Sequence, residues 1–104
     1  MLTDLDTLND FFRRYAEFSN GAFGTPEERG CLGPLHHLQE EVKELIDNPN
    51  DELEWADCFL LLLDAARRKG HSVDDLVKFA NAKLEINKKR SWKQNENGVY
   101  KHIK

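Results

Sequence analysis

The sequence predicts an all-α fold: a four-helix bundle completed by association of subunits, with a short irregular C-terminal tail. Three observations predict it. Apolar residues recur at helical spacing in four separate segments. Capping and breaking residues separate those segments. From Cys58 to Leu63 the third segment is apolar on every side, and three other short helices cannot surround it in a chain of 104 residues. That length suits one domain, residues 1–104, with a modest core.

The first helix is expected over residues 4–18, with Leu5, Leu8, Phe11, Phe12, Tyr15 and Phe18 at helical spacing and Thr3 or Asp4 as N-cap. Its aromatic stripe reads as core. Residues 19–34 hold Gly21, Gly24, Gly30, Gly33, Pro26 and Pro34 and read as loop. A loop of that length in so small a domain either covers a site, with Phe23 as a stacking residue, or is a connector with Phe23 tucked inwards. Gly33-Pro34 opens the second helix, with proline near its first position. Leu35, Leu38, Val42, Leu45 and Ile46 form its apolar stripe.

After an Asn48-Pro49-Asn50 turn, Asn50 is the expected N-cap of a third helix over residues 51–69, stopped by Gly70. Its acidic start and its Arg67-Arg68-Lys69 end suit the helix dipole. Ser72 and Asp75 resemble a capping box for a fourth helix from Val73 to about Arg90. Val73, Leu76, Val77, Ala80 and Leu84 supply its apolar contacts, and Lys83, Asn87 and Arg90 line up along it. In the tail, Trp92, Val99, Tyr100 and Ile103 are placed to pack back.

A formal net charge of −4 argues against a large nucleic-acid footprint. Arg67-Arg68-Lys69 and Lys88-Lys89-Arg90 remain candidate phosphate contacts. No basic region followed by an apolar stretch marks the N-terminus as a signal peptide, and the run from Cys58 to Leu63 is far short of a membrane span. Cys31 and Cys58 do not make a disulfide framework, and Cys58 reads as a core residue. The expectation is a soluble cytoplasmic protein without membrane contact.

The chemistry concentrates between Glu40 and Asp64. At about 100° per residue, Glu41 and Glu44 lie roughly 60° apart on the second helix, and so do Glu54 and Asp57 on the third. Glu40 points away, towards solvent. Each acidic pair alone reads as a solvated helix face. Together, on consecutive antiparallel helices and with Asp57 entering an apolar run, they describe a pocket of negative charge suited to a hard divalent cation with oxygen ligands. Cys31, His36 and His37 lack a second ligand pair with zinc spacing, and no Glu-x-x-His pair supports a di-iron bundle. Lys83, Asn87 and Arg90 would add donors suited to a polyphosphate.

The pattern EExxE followed on the next helix by ExxD resembles the MazG-like, all-α nucleotide pyrophosphohydrolases. His37-Leu38-x-x-Glu41, Ala56-Asp57, the Leu60-to-Asp64 run with Arg68-x-Gly70, and Lys83-x-x-x-Asn87-x-x-Arg90-x-Trp92 are similar to a phage- and prophage-associated branch that includes dATP/dGTP diphosphohydrolases. The resemblance covers residues 23–104. It implies a MazG-like bundle forming homodimers or homotetramers, and hydrolysis of purine deoxynucleoside triphosphates between the α and β phosphates to a monophosphate and pyrophosphate. It further implies that Glu41, Glu44, Glu54 and Asp57 hold Mg²⁺, with Mn²⁺ able to substitute, and that a carboxylate-held water attacks the α phosphorus. Lys83, Asn87, Arg90, His37 and Asp64 would then serve substrate binding, in a bacterial or phage-infected cell. Two other classes stay open: a nucleotide- or metal-binding regulatory module without turnover, and a helical assembly protein with solvated acidic faces.

Overall fold

The computed structural model describes residues 3–103. Helix α1 runs Asp4–Phe23. The Thr3 hydroxyl accepts from the Asp6 N–H at 3.0 Å while the Asp6 carboxylate accepts from the Thr3 N–H at 3.2 Å, so two otherwise unpaired donors are satisfied reciprocally. Helices α2, α3 and α4 span Leu32–Asp47, Glu52–Lys69 and Val73–Lys88.

The first helix thus continues beyond Phe18. Ser19, Asn20 and Gly21 are weak helix formers, but Ser19 is fully buried and donates its hydroxyl to Asp64 of α3 at 2.8 Å. Tertiary contact overrides the local preference. The helix ends at Gly24, whose φ of +98° suits a residue without a Cβ. The expected loop over 19–34 therefore shrinks to a turn over 24–31, where the Glu28 carboxylate accepts from the Thr25 hydroxyl at 3.0 Å.

A turn over 48–51 links α2 to α3 as a helical hairpin, and α1 packs against α3. Asp51, not Asn50, is the N-cap: its carboxylate accepts from the Leu53 N–H at 3.0 Å. The Trp55 indole donates to the Pro49 carbonyl at 2.9 Å and fastens the turn. Gly70 closes α3 in the left-handed region, as its sequence position predicts. Leu63, Ala65 and Val73 are buried, whereas Phe59 and Leu62 stay 43% and 54% exposed, which leaves an apolar face on α3. No helix among the described residues is long and apolar enough to cross a membrane.

The chain forms two compact units, one up to Val73 and one from Asp74 onwards. The second unit holds most of α4 and a hairpin of strands β1, Trp92–Gln94, and β2, Tyr100–His102. This corrects the expected irregular tail. Trp92 pairs with His102 and Gln94 with Tyr100 in antiparallel register. The Asn95 side-chain oxygen accepts from the N–H groups of Asn97 and Val99, each at 2.9 Å, and Gly98 takes φ +79°. Asn97-Gly98 between β-prone residues was the available signal. α4 stops at Lys88, and the Trp92 indole donates to the Asn87 carbonyl at 3.1 Å.

Candidate active site

The helical hairpin brings Glu41 and Glu44 of α2 against Glu54 of α3, one carboxylate oxygen from each lying within 4.8 Å of the others. Among the described residues no lysine or arginine pairs with any of the three, and only His37 touches Glu41. Their protons are therefore shared unevenly. Glu41 is held below the usual carboxylate range, chiefly by its hydrogen bond with Glu44, with Glu54 and His37 adding to the effect. Glu44 is raised by its hydrogen bond and charge repulsion with Glu41. Glu54 is pushed up to about 7 by its hydrogen bond with Glu41, by burial, and by the charges of Glu44 and Glu41. Its Oε2 is buried without a hydrogen-bond partner. A site of three oxygen donors with one unsatisfied buried atom fits a hard divalent cation. It is the metal-ligand-like group among the described residues.

Asp57 does not join that cluster. One turn along α3 from Glu54, it is exposed and lines an adjoining cavity beside Glu41. Four expected converging carboxylates are thus three, with a fourth one helical turn, about 4.5 Å, along the axis. Glu40 is exposed, as its angular position predicts. The His37 Nε2 lies 3.1 Å from Glu41 Oε1, an outer partner that orients this carboxylate. Burial and the charge of Glu41 raise the Cys58 thiol, which keeps it an inert neighbour.

The cavity holds about 450 Å³ within the first unit. Tyr15, Phe18 and Phe23 give it an aromatic wall, and Phe18 and Phe23 meet edge to face at 5.8 Å. Part of the stripe expected to be core therefore faces a cavity, with Phe18 60% exposed. Phe23 stands at the end of α1 rather than in a loop. Arg29, Leu60 and Leu61 also line the cavity; nothing in their sequence context singles them out.

Asp64 reaches the cavity wall but is held from behind. Its Oδ2 accepts from Arg68 Nε at 2.9 Å, and its Oδ1 accepts from Ser19 at 2.8 Å and from Arg67 at 3.0 Å. Arg68 spends its remaining donors on Ser19 and on the carbonyls of Gly24, Thr25 and Arg29. Arg67 also donates to the Asn20 side chain at 2.9 Å. Arg67 and Arg68, two of the expected phosphate contacts, are thus committed to internal partners. Ser19 is the member of this network that the sequence reading missed. Its position four residues after Tyr15 and eight after Phe11, on the buried stripe, was the signal.

Lys83, Asn87 and Arg90 belong to the second unit. Lys83 is exposed and Asn87 and Arg90 are half-buried. The Asn87 side-chain oxygen is buried without a hydrogen-bond partner.

Comparison with known proteins identifies the family. A family model described as dATP/dGTP pyrophosphohydrolase matches residues 11–104. A dATP/dGTP diphosphohydrolase of cyanophage S-2L is 42% identical over 73 residues, 68% of this chain and 67% of that protein. The Eaa protein of Salmonella phage P22 is 44% identical over 93 residues, which span 88% of this chain but 28% of the phage protein's length. Among solved structures, the cyanophage S-2L MazG-like pyrophosphohydrolase, bound to dGDP and three catalytic Mn²⁺ ions per active site, superposes with a TM-score of 0.76 at 34% identity. The match covers 91% of this chain and 95% of that one. An acidic helical hairpin beside an aromatic cavity, matched in sequence over most of its length, makes this chain a member of the dATP/dGTP pyrophosphohydrolase family of MazG-like nucleotide hydrolases.

Proposed function

We propose that this chain hydrolyses purine deoxynucleoside triphosphates between the α and β phosphates, releasing a deoxynucleoside monophosphate and pyrophosphate. The observation that carries the reading is the cluster of Glu41, Glu44 and Glu54 with its unpartnered Glu54 oxygen. Three carboxylates crowded together with no lysine or arginine among the described residues to pair them are unfavourable unless a cation joins them. The S-2L neighbour, with Mn²⁺ in its active site, supports a divalent ion here, and we assign Mg²⁺ as the ion. When bound, it would neutralise charge on the phosphate chain and lower the pKa of a water.

The chain's own residues divide the remaining work. Glu41, Glu44 and Glu54 would hold the ion, and His37 fixes the Glu41 carboxylate that it contacts. Asp57, which lines the cavity, would supply a further carboxylate to the metal site. The aromatic wall excludes water from one side of the nucleotide. Asp64 serves substrate binding indirectly, through Arg68, which holds the turn that carries Arg29 to the cavity. Lys83, Asn87 and Arg90, in the second unit, remain candidate substrate-binding residues by their chemistry alone. The exposed apolar face at Phe59 and Leu62 supports a homodimer or homotetramer, acting in the cytoplasm of a bacterium or phage-infected cell.

A panel of NTPs and dNTPs with Mg²⁺ and pyrophosphate detection tests the activity. Release, largest for dATP and dGTP, is the expected result. Metal-dependent nucleotide binding without release would instead identify a regulatory module. Sedimentation at micromolar concentration checks the assembly, and a species of only 12.1 kDa would refute it.

A further inference from the structure

The cavity is laid out along α2. Gly33, His37 and Glu41 follow one another at intervals of four residues, one helical turn each, so they share a face. Glu41 marks the cation end. Gly33 lies eight residues before it, about 12 Å along the axis, which is the scale of one nucleoside.

Arg29 stands at that far end. Its aliphatic stem passes 3.5 Å from where a Cβ on Gly24 would be, and its Nη2 lies 3.7 Å from where a Cβ on Gly33 would be. The guanidinium thus lies at van der Waals distance over the start of α2, where Gly33 lines the cavity. Arg68, whose side chain is 1% exposed, fixes the backbone beneath it, donating to the Arg29 carbonyl at 3.0 Å and the Gly24 carbonyl at 2.9 Å. Among the described residues no carboxylate pairs with the Arg29 guanidinium. A cation is thus positioned on the cavity beside the aromatic wall, with its donors uncommitted.

We propose that Arg29 is the base-reading residue of this cavity, donating to O6 and N7 of guanine and so favouring guanine over adenine nucleotides. This rests on the nucleotide reading above. With the phosphates drawn to the carboxylate-held cation, the base extends towards Phe18, Phe23 and Arg29. A guanidinium offers donors only. Guanine presents two acceptors on its O6/N7 edge, whereas adenine pairs its N7 acceptor with an N6 donor that an arginine cannot satisfy. A glutamine side chain matches the adenine edge instead.

The test is calorimetric titration of dGMP and dAMP into the full chain, with and without Mg²⁺, for the parent, Arg29→Gln and Arg29→Ala. The Arg29 side chain is exposed and Arg68 binds only its carbonyl, so both variants keep the turn, which circular dichroism verifies. The parent should bind dGMP about tenfold more tightly than dAMP, near the lower range for one bidentate pair. Arg29→Ala should bring the ratio close to unity, and Arg29→Gln should reverse it. A ratio unchanged in both variants overturns the proposal. So does an equal weakening of both nucleotides, which would place Arg29 on a phosphate, and so does a parent that binds neither. Pyrophosphate release from dGTP, measured in parallel, separates the two readings. No release with an Arg29-dependent ratio sinks catalysis alone, and release with an Arg29-independent ratio sinks base reading alone.

Discussion

Glu54 and Asp64 sit ten residues apart on the same helix and have met opposite fates. Burial pushes the Asp64 carboxyl up, but hydrogen bonds from Arg68, Ser19 and Arg67 outweigh it and hold the group below its usual 3.8. Glu54 meets two other glutamates and is driven up to about 7. One carboxylate is satisfied by the chain; the other waits for something the chain does not provide. A buried charge with internal partners shapes the fold, while a half-buried carboxylate with an unpartnered oxygen marks where a ligand belongs.

The largest expected effect would break that contrast at the glutamate end. Glu41→Gln and Glu54→Gln should each lower Mg²⁺-dependent pyrophosphate release by more than the roughly 10–100-fold that loss of an outer partner costs. Asp57→Asn should fall between these and Glu40→Gln, which should keep most activity. Equal mild losses at all four positions would make the acidic run a solvated face.

At the other end, Arg68→Met leaves Asp64 buried with part of its charge uncompensated. Denaturant unfolding should show a loss of about 3–5 kcal/mol, and Mg²⁺ should not restore it. A loss below about 1 kcal/mol would mean that the network adds nothing beyond a surface pair.

Glu54→Gln sharpens the comparison in the metal-free state. Removing one of three crowded charges should raise Tm in EDTA at pH 7.5 and above, and it should also abolish the increase that Mg²⁺ gives the parent. A variant less stable than the parent in EDTA would show that the cluster is already compensated.

The smallest effect is in pH dependence. Because the folded-state value of Glu54 is raised above 4.5, its contribution to stability is full below pH 4.5 and is lost as pH rises through about 7. Asp64 has the opposite sign: its contribution is present above 3.8 and fades as pH falls below it. Tm in EDTA should therefore decline from pH 5 to 7.5, and Mg²⁺ should flatten that decline. A curve with the same slope under both conditions would separate the titration from the cation.

Much of this protein was legible in one dimension. Helical periodicity marked all four helices, because a face buried against neighbours must repeat every three to four residues. Gly70 marked the end of α3, because a residue without a Cβ is needed where the backbone turns left-handed. The spacing of Glu41, Glu44 and Glu54 also put them on facing sides of consecutive helices. The hairpin tail was within reach too, in Asn97-Gly98, but the polar composition around it read as irregular chain.

What the residues alone determined is local: which face each helix buries, where each is capped, and which carboxylates share a turn. The tertiary structure alone decided which charges would find partners. Ser19 and Arg68, separated by 49 positions, had to meet before α1 could run to Phe23 and before the turn over 24–31 could be pinned above the cavity. Glu54 had to meet Glu41 before either could be told from a solvated surface acid. A carboxylate's chemistry depends on the charges within a few ångströms of it, and those distances exist only once the chain has folded.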